Sequence, residues 1–290
     1  MIESVFEKLL FELDQQGQAE MPDDWEEQVE ERLESLRTAY DNLTAAGRPG
    51  IDYSDLPTQA AYVFAYAIGR AEFTYQLLKR HRAALGEPIF PSGTARITSL
   101  GGGPGSEIAG VVKYLLDASN GEKVKSIKYW VFDKDGLWED VCESLVNQLA
   151  GHIPIELVYD KLDLCDQKQC GKISLKGDDL LILSFVISEL CSIARKADAE
   201  NSLRELYKTL DNGARIFYND SNASTFYYFF NDTRKFVKGL GRISQKSEVV
   251  EKIGVSLKFG PTYEEYMDQF GVTPHLTSDA LSKLLVRSMQ

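Results

Sequence analysis

The sequence predicts an α/β protein, with a mostly parallel sheet covered by helices on both faces and an α-helical N-terminal cap before it. Three observations predict this class. Residues 1–86 carry apolar stripes at helical spacing and no strand-like run. From Arg96 onward, short runs rich in β-formers alternate with amphipathic stretches. Asp179–Val186 is strongly apolar, as a central strand buried on both faces must be. The boundaries follow: a helical cap over 1–90 and an α/β domain over 91–290.

In the cap, Ile2, Val5, Phe6, Leu9, Leu10 and Leu13 keep helical spacing. After Pro22, Asp24 with Glu27 reads as an N-cap pair, and Trp25, Val29, Leu33, Leu36, Tyr40 and Leu43 form a second stripe. Gly47-Arg-Pro-Gly50 ends that helix. A third starts near Asp55-Leu-Pro57, with proline in its first turn, and runs to about Leu85 before Gly86. Its apolar stripe is Ala60, Phe64, Ala67, Ala71, Tyr75 and Leu78, while Tyr62, Tyr66 and Arg70 follow one another at i, i+4, i+8 on a different face.

The α/β region reads as strand Arg96–Leu100, helix Ser106–Leu116, strand Ser126–Phe132, helix Leu137–Ala150 and strand Ile155–Tyr159. The central strand Asp179–Val186, helix Ala199–Leu210 and strand Ala214–Tyr218 follow, with further strands expected at Val255–Phe259 and Leu284–Ser288. In such sheets ligands bind at the carboxyl ends of the strands.

Charge and composition exclude several classes. The net charge is −12, with 44 acidic and 32 basic residues, but residues 1–56 hold 15 of the acids and only 4 of the bases. The remainder is nearly neutral, so broad nonspecific nucleic-acid binding by the whole chain is not expected. The Glu-rich face of the second helix is either solvated or a protein contact. The longest apolar runs, Ala60–Ile68 and Leu180–Ile187, fall far short of the roughly 20 residues that cross a bilayer. No basic segment followed by an apolar one opens the chain, and the expected location is cytoplasmic. Four cysteines form no CxxC pair and three histidines lie far apart, which argues against a zinc site.

The chemistry concentrates in Ile97-Thr-Ser-Leu-Gly101-Gly102-Gly103-Pro-Gly105-Ser-Glu107, a strand, a glycine turn and a helix start. Glycines there let a ligand approach the backbone and leave the N–H groups of the next helix free. The next strand ends in Asp133, a carboxylate placed to accept hydrogen bonds from two ribose hydroxyls. The spacing is neither the G-x-G-x-x-G of pyrophosphate-binding dinucleotide folds nor a P-loop, which disfavours a nicotinamide-dependent oxidoreductase.

On these residues the chain resembles the class I S-adenosylmethionine-dependent methyltransferases over about 95–290, and their fold would be a Rossmann-like seven-stranded sheet with the last strand antiparallel. The resemblance implies S-adenosylmethionine as cofactor. Gly101, Gly102, Gly103 and Gly105 then match the methionine-binding loop and Asp133 the ribose-binding acid, while Asp163 or Leu164 matches the adenine-edge position. Ser184, Phe185 and Glu189 fall in the fourth motif, and Asn219-Asp220 follow the fifth strand. Tyr62, Tyr66 and Arg70, on the helix before the first strand, would contact the methionine carboxylate or roof the pocket. Glu189, Asn219 and Asp220 are the polar groups expected nearest the methyl.

A sulfonium methyl is already electrophilic, so the protein aligns a nucleophile with it; nitrogen must arrive neutral and oxygen needs a base. No Asp/Asn-Pro-Pro-aromatic tetrapeptide follows the fourth strand, no Pro-Cys dipeptide occurs, and no histidine lies near the ends of the fourth and fifth strands. The acceptor therefore stays an unidentified nitrogen or oxygen of a small molecule, protein or RNA; the alternative is an inactive methyltransferase fold serving as a scaffold. Thr233–Ser247 holds five bases (Arg234, Lys235, Lys238, Arg242 and Lys246) and no acid, preceded by Phe226-Tyr-Tyr-Phe-Phe230. It reads either as a contact for an anionic acceptor beside the substrate side or as a solvated helix face on a buried aromatic core.

Overall fold

A computed structural model describes residues 1–45, 50–134, 136–193, 195–235 and 242–288. The cap consists of α1 (Ile2–Glu20), α2 (Trp25–Asp41) and a long helix in two parts, α3 (Leu56–Tyr62) and α4 (Ile68–Leu85), joined by a π-helical turn at Val63–Ala67. The α/β region follows as β1 (Gly93–Leu100), α5 (Ser106–Leu116), β2 (Val124–Asp133), α6 (Glu139–Leu149), β3 (Ile155–Lys161), the short α7 (Gln167–Cys170) and β4 (Leu180–Ser184). Then come α8 (Val186–Ser192), α9 (Lys196–Thr209), β5 (Arg215–Ser221), α10 (Ser224–Lys235), β6 (Arg242–Gly254), α11 (Pro261–Phe270) and β7 (Thr277–Ser288).

The sheet has seven strands in the order β3-β2-β1-β4-β5-β7-β6. Neighbours from β3 to β5 pair in parallel, and β7 runs antiparallel to both β5 and β6. Only β7 is reversed, which is the Rossmann-like, mostly parallel arrangement expected from the sequence.

Side chains alternate across this sheet with period two, and two cores result. Ile97, Tyr129, Val131, Ile182, Phe217 and Leu284 face one hydrophobic cluster with the cap helices, α5, α6 and α11. Leu100, Phe132, Leu181, Leu183, Tyr218 and Leu285 face the other, with α8, α9 and α10. The cap thus shares its core with one face of the sheet. Trp25 fixes α2 on α1: its indole N–H donates to Asp14 at 2.8 Å, and its ring occupies the space that a side chain at Gly17 would need.

Several expectations need correction. Asp24 makes no side-chain cap on α2; the entry to that helix is set by Trp25 and by backbone bonds to the Met21 carbonyl. Asp55 does cap α3, accepting the Thr58 N–H at 2.7 Å. The central strand stops at Ser184 rather than Val186, because Phe185 turns the chain with a left-handed backbone (φ 55°, ψ 11°). Val255–Phe259 is not a strand. The edge strand is Arg242–Gly254, whose mostly exposed, polar sequence hides it from an apolarity reading, and Leu284–Ser288 is only the second half of β7. The helix stop at 47–50 falls mainly on 46–49, which lie outside the described residues. No helix among the described residues is long and apolar enough to cross a membrane.

The described end of the basic stretch, from Arg242, does not border the carboxyl ends of the strands. Arg242 pairs with Ser288, and Arg215, which opens β5, pairs with Val286, so Arg242 and Lys246 sit toward the amino edge of the sheet. They belong to a strand rather than to a helix face; Lys238 lies outside the described residues. Phe226, Phe229 and Phe230 are buried in the second core, while Tyr228 is exposed.

Candidate functional site

The first four strands deliver their carboxyl ends to one cavity of about 360 Å3. Gly101 and Gly103 come from the end of β1, Asp133 from β2, Asp163, Leu164 and Cys165 from the chain after β3, and Ser184 and Phe185 from β4. Glu189 enters from α8, and the cap contributes Tyr53, Tyr62 and Arg70.

The glycine turn is required by its surroundings. Gly101 has a positive φ of 64°, and a Cβ on it would stand 2.5 Å from Val186. A Cβ on Gly102 would stand 2.9 Å from both Ser99 and Val131, so this residue packs onto the sheet rather than facing the cavity. Gly105 (φ 81°) opens α5 against Cys142 and is likewise behind the wall. The loop is tied to the next strand: the Gly103 N–H donates to Asp133 Oδ2 at 2.9 Å, and Asp133 Oδ1 accepts the Lys134 N–H at 2.8 Å.

At one end, Asp163 accepts the Cys165 N–H at 2.8 Å and pairs with Arg195 at 3.1 Å. Arg195 also donates to the Cys165 carbonyl and to Asp198, which braces the chain after β3 against α9.

At the other end, Arg70 is buried in an aromatic box. Its guanidinium donates to the Tyr62 hydroxyl at 2.5 Å, and its Cζ lies 5.2, 5.0 and 4.6 Å from the ring centres of Tyr40, Tyr62 and Phe185. Such contacts stabilise a desolvated cation. Burial opposes the charge of Arg70, yet Tyr40, Tyr62, Tyr53 and Glu189 outweigh it and hold the group protonated. Burial also pushes the Tyr53 and Tyr62 hydroxyls well above their ordinary range, so both remain hydrogen-bond donors. Tyr53 and Tyr62 pack edge to face and both tilt against Trp138, with ring centres 5.2–5.5 Å apart.

Under this wall lies a layer of buried polar groups. Glu107, in the first turn of α5, is raised to about 7 by burial, against the pull of its own amide, Arg70 and the Ser184 hydroxyl. Its Oε2 has no hydrogen-bond partner among the described residues. Asn219 and Asp220 are fully buried and do not line the cavity. Asn219 accepts the Phe185 N–H on its backbone carbonyl at 2.8 Å, holding the left-handed turn. Asp220 accepts the Ser188 and Ser221 amides, each at 2.8 Å, and burial raises it to about 6.

Of the residues singled out in the sequence, the cavity wall holds Gly101, Gly103, Asp133, Asp163, Leu164, Ser184, Phe185, Glu189 and Arg70, together with Tyr62. Gly102, Gly105, Asn219 and Asp220 lie one layer behind it. Tyr66 is absent from the wall: it sits inside the π turn, 4.5 Å from Tyr40 and 5.9 Å from His275 by ring centres. The sequence does not mark Tyr53, Trp138 or Arg195, and it shows Glu107 only as the end of the glycine motif. Tyr53 lies between helices where no periodicity marks it, and Arg195 reaches the site only through packing of distant segments.

These walls fit S-adenosylmethionine by the chemistry of their donors and acceptors. The Asp133 carboxylate can accept hydrogen bonds from hydroxyl groups, the buried Arg70 guanidinium can meet a carboxylate, and Gly101 and Gly103 share the cavity wall with them. The strand order, the single reversed strand and the glycine turn after β1 make this a Rossmann-like fold.

Solved methyltransferase structures are similar in fold. The mitomycin 7-O-methyltransferase MmcR is 13% identical over 80% of this chain (TM-score 0.38), and the chain spans only 56% of its length. An O-methyltransferase family protein from Burkholderia thailandensis is 11% identical over 88% of this chain and 71% of its own (TM-score 0.42). A candidate RNA methyltransferase from Pyrococcus horikoshii is 12% identical over 89% of this chain and 98% of its own (TM-score 0.41). No family model and no curated protein matches the chain.

Proposed function

We propose that this protein is an S-adenosylmethionine-dependent methyltransferase acting on a nitrogen or oxygen acceptor. The observation that carries the proposal is the Gly103–Asp133 hydrogen bond, which joins the glycine turn to the ribose-facing acid on one cavity wall. Bound there, S-adenosylmethionine would supply an electrophilic sulfonium methyl.

The chain's own residues then divide the work. Asp133 accepts the ribose hydroxyls, and the backbone of Gly101 and Gly103 lies along the ligand. Asp163, Leu164 and Cys165 face the adenine, with Arg195 bracing them. Arg70 takes the carboxylate of the amino-acid head, a charge-assisted bond in a desolvated box. Glu189 is the wall carboxylate to which we assign orienting the acceptor or taking its proton. Asn219 and Asp220 support from behind, by holding Phe185 and α8.

We place the acceptor on the side of Tyr40. That residue lines a second cavity of about 420 Å3 beyond β5, with Ser221, Asn222 and Asp279. Its hydroxyl meets that of Tyr53, on the first cavity, at 2.9 Å. One layer of side chains therefore separates the two spaces.

The test is transfer of a radiolabelled methyl group from S-adenosylmethionine into small-molecule, protein and RNA fractions of a cell extract. Label in one fraction that disappears with Asp133→Ala supports the proposal. Specific cofactor binding with no label in any fraction favours the scaffold reading instead.

A further inference from the structure

The helix that carries Tyr62 and Arg70 is interrupted by one wide turn, and that turn is held from outside. In an unbroken α-helix, residues eight apart point about 80° away from each other. The π turn at Val63–Ala67 inserts one residue between them, restoring a spacing close to two turns. That is why the Arg70 guanidinium reaches the Tyr62 hydroxyl at 2.5 Å. It is also why Tyr66, within the turn, leaves the cavity wall.

A wide turn diverts carbonyls from their usual amide partners, and here two of them accept from a distant segment. The Tyr263 hydroxyl, on α11, donates to the Val63 carbonyl at 3.1 Å from 200 residues downstream. The His275 amide, ahead of β7, donates to the Ala65 carbonyl at 2.7 Å. Gly69 completes the seat, because a Cβ there would stand 2.2 Å from the His275 carbonyl oxygen. Glycine inside a helix is disfavoured relative to alanine, so its presence next to Arg70 has a packing reason.

We propose that the segment between β6 and β7 fixes the wide turn and thereby aims Arg70 into the cavity, which makes Tyr263 and the backbone of His275 positioning elements for recognition of an amino-acid carboxylate. The inference rests on the reading that the cavity takes S-adenosylmethionine. Without the outside donors the helix can regain regular α-helical bonding, and losing the inserted residue turns Arg70 by about 100°. The glycine turn and Asp133 are untouched by that rotation, so only the amino-acid end of the site should respond.

The experiment compares two probes, S-adenosylhomocysteine and 5′-methylthioadenosine, which lacks the amino-acid head. Tyr263→Phe removes one hydroxyl and keeps the ring. It should weaken S-adenosylhomocysteine by roughly tenfold, the worth of one well-placed hydrogen bond, and leave 5′-methylthioadenosine unchanged. Arg70→Ala and the Arg70→Ala/Tyr263→Phe double variant should bind S-adenosylhomocysteine equally, since both act through one group. Gly69→Ala should repeat the pattern. Equal weakening of both probes, or a lowered melting temperature with the ratio of affinities unchanged, would overturn the inference. The ligand-free protein gives a second readout: the Arg70 Nε resonance should shift in Tyr263→Phe, and an unmoved resonance contradicts the proposal whatever the ligand proves to be. Failure of the unmodified protein to bind either probe counts instead against the cofactor reading.

Discussion

Gly103 and Asp133 stand 30 residues apart in sequence and are joined by a 2.9 Å hydrogen bond from the glycine amide to the carboxylate. One acid thus orders the loop and also lines the cavity. Asp133→Ala should therefore weaken S-adenosylhomocysteine by about 10- to 100-fold, the range for losing charge-assisted bonds to a buried ligand. Asp133→Asn should retain part of the affinity. Calorimetric titration of both variants checks this.

Gly102 carries a separate prediction, because it packs on the sheet and not on the ligand. Gly102→Ala forces a Cβ to 2.9 Å from Ser99 and Val131 and should cost about 1–3 kcal/mol of stability. Urea unfolding reads this directly, and a loss below about 0.5 kcal/mol would mean that the loop yields more easily than the packing indicates.

Glu107 makes stability depend on pH in an unusual direction. Burial raises its carboxyl from 4.5 to about 7, so the folded protein binds a proton that the unfolded chain has released between those values. Its contribution is present at low pH and fades as pH rises from 4.5 through 7. Glu107→Gln should remove that dependence, making the variant relatively more stable than the parent at pH 8 than at pH 5. Melting temperatures of both proteins across this range provide the check; a constant difference contradicts it.

His81 should act in the opposite sense. Ser282 donates its hydroxyl proton to the Tyr218 carbonyl, so it accepts from His81 Nε2, which leaves Nδ1 to accept from Ser247. Burial lowers this neutral imidazole from 6.5 to about 4. Its stabilisation is whole above pH 6.5 and is lost as pH falls toward 4. His81→Leu will be less stable overall, but should lose less stability than the parent between pH 6.5 and 4.5.

Much of this molecule is legible in its sequence. Leu180–Ser184 is buried at every position because it lies in mid-sheet, and its apolarity announces that. Ser106–Leu116 begins where a glycine turn releases it, and the helix spans those residues. The edge strand Arg242–Gly254 escaped notice because a strand with one neighbour and an exposed face needs little apolar content. Phe185 is invisible for another reason: nothing local demands a left-handed phenylalanine, and the turn is held by Asn219 from the neighbouring strand. The stripe of Tyr62, Tyr66 and Arg70 was visible as a helix face, but the wide turn that separates Tyr66 from the other two depends on Tyr263 and His275, far along the chain.

The central claim is that the glycine turn and Asp133 form a site for an S-adenosyl ligand. Calorimetric titration of S-adenosylhomocysteine into the unmodified protein and into Asp133→Ala tests it most directly. A saturable one-site isotherm that collapses in the variant, with the fold intact by circular dichroism, is the predicted result. No binding to the unmodified protein, or equal affinity in both, would contradict it.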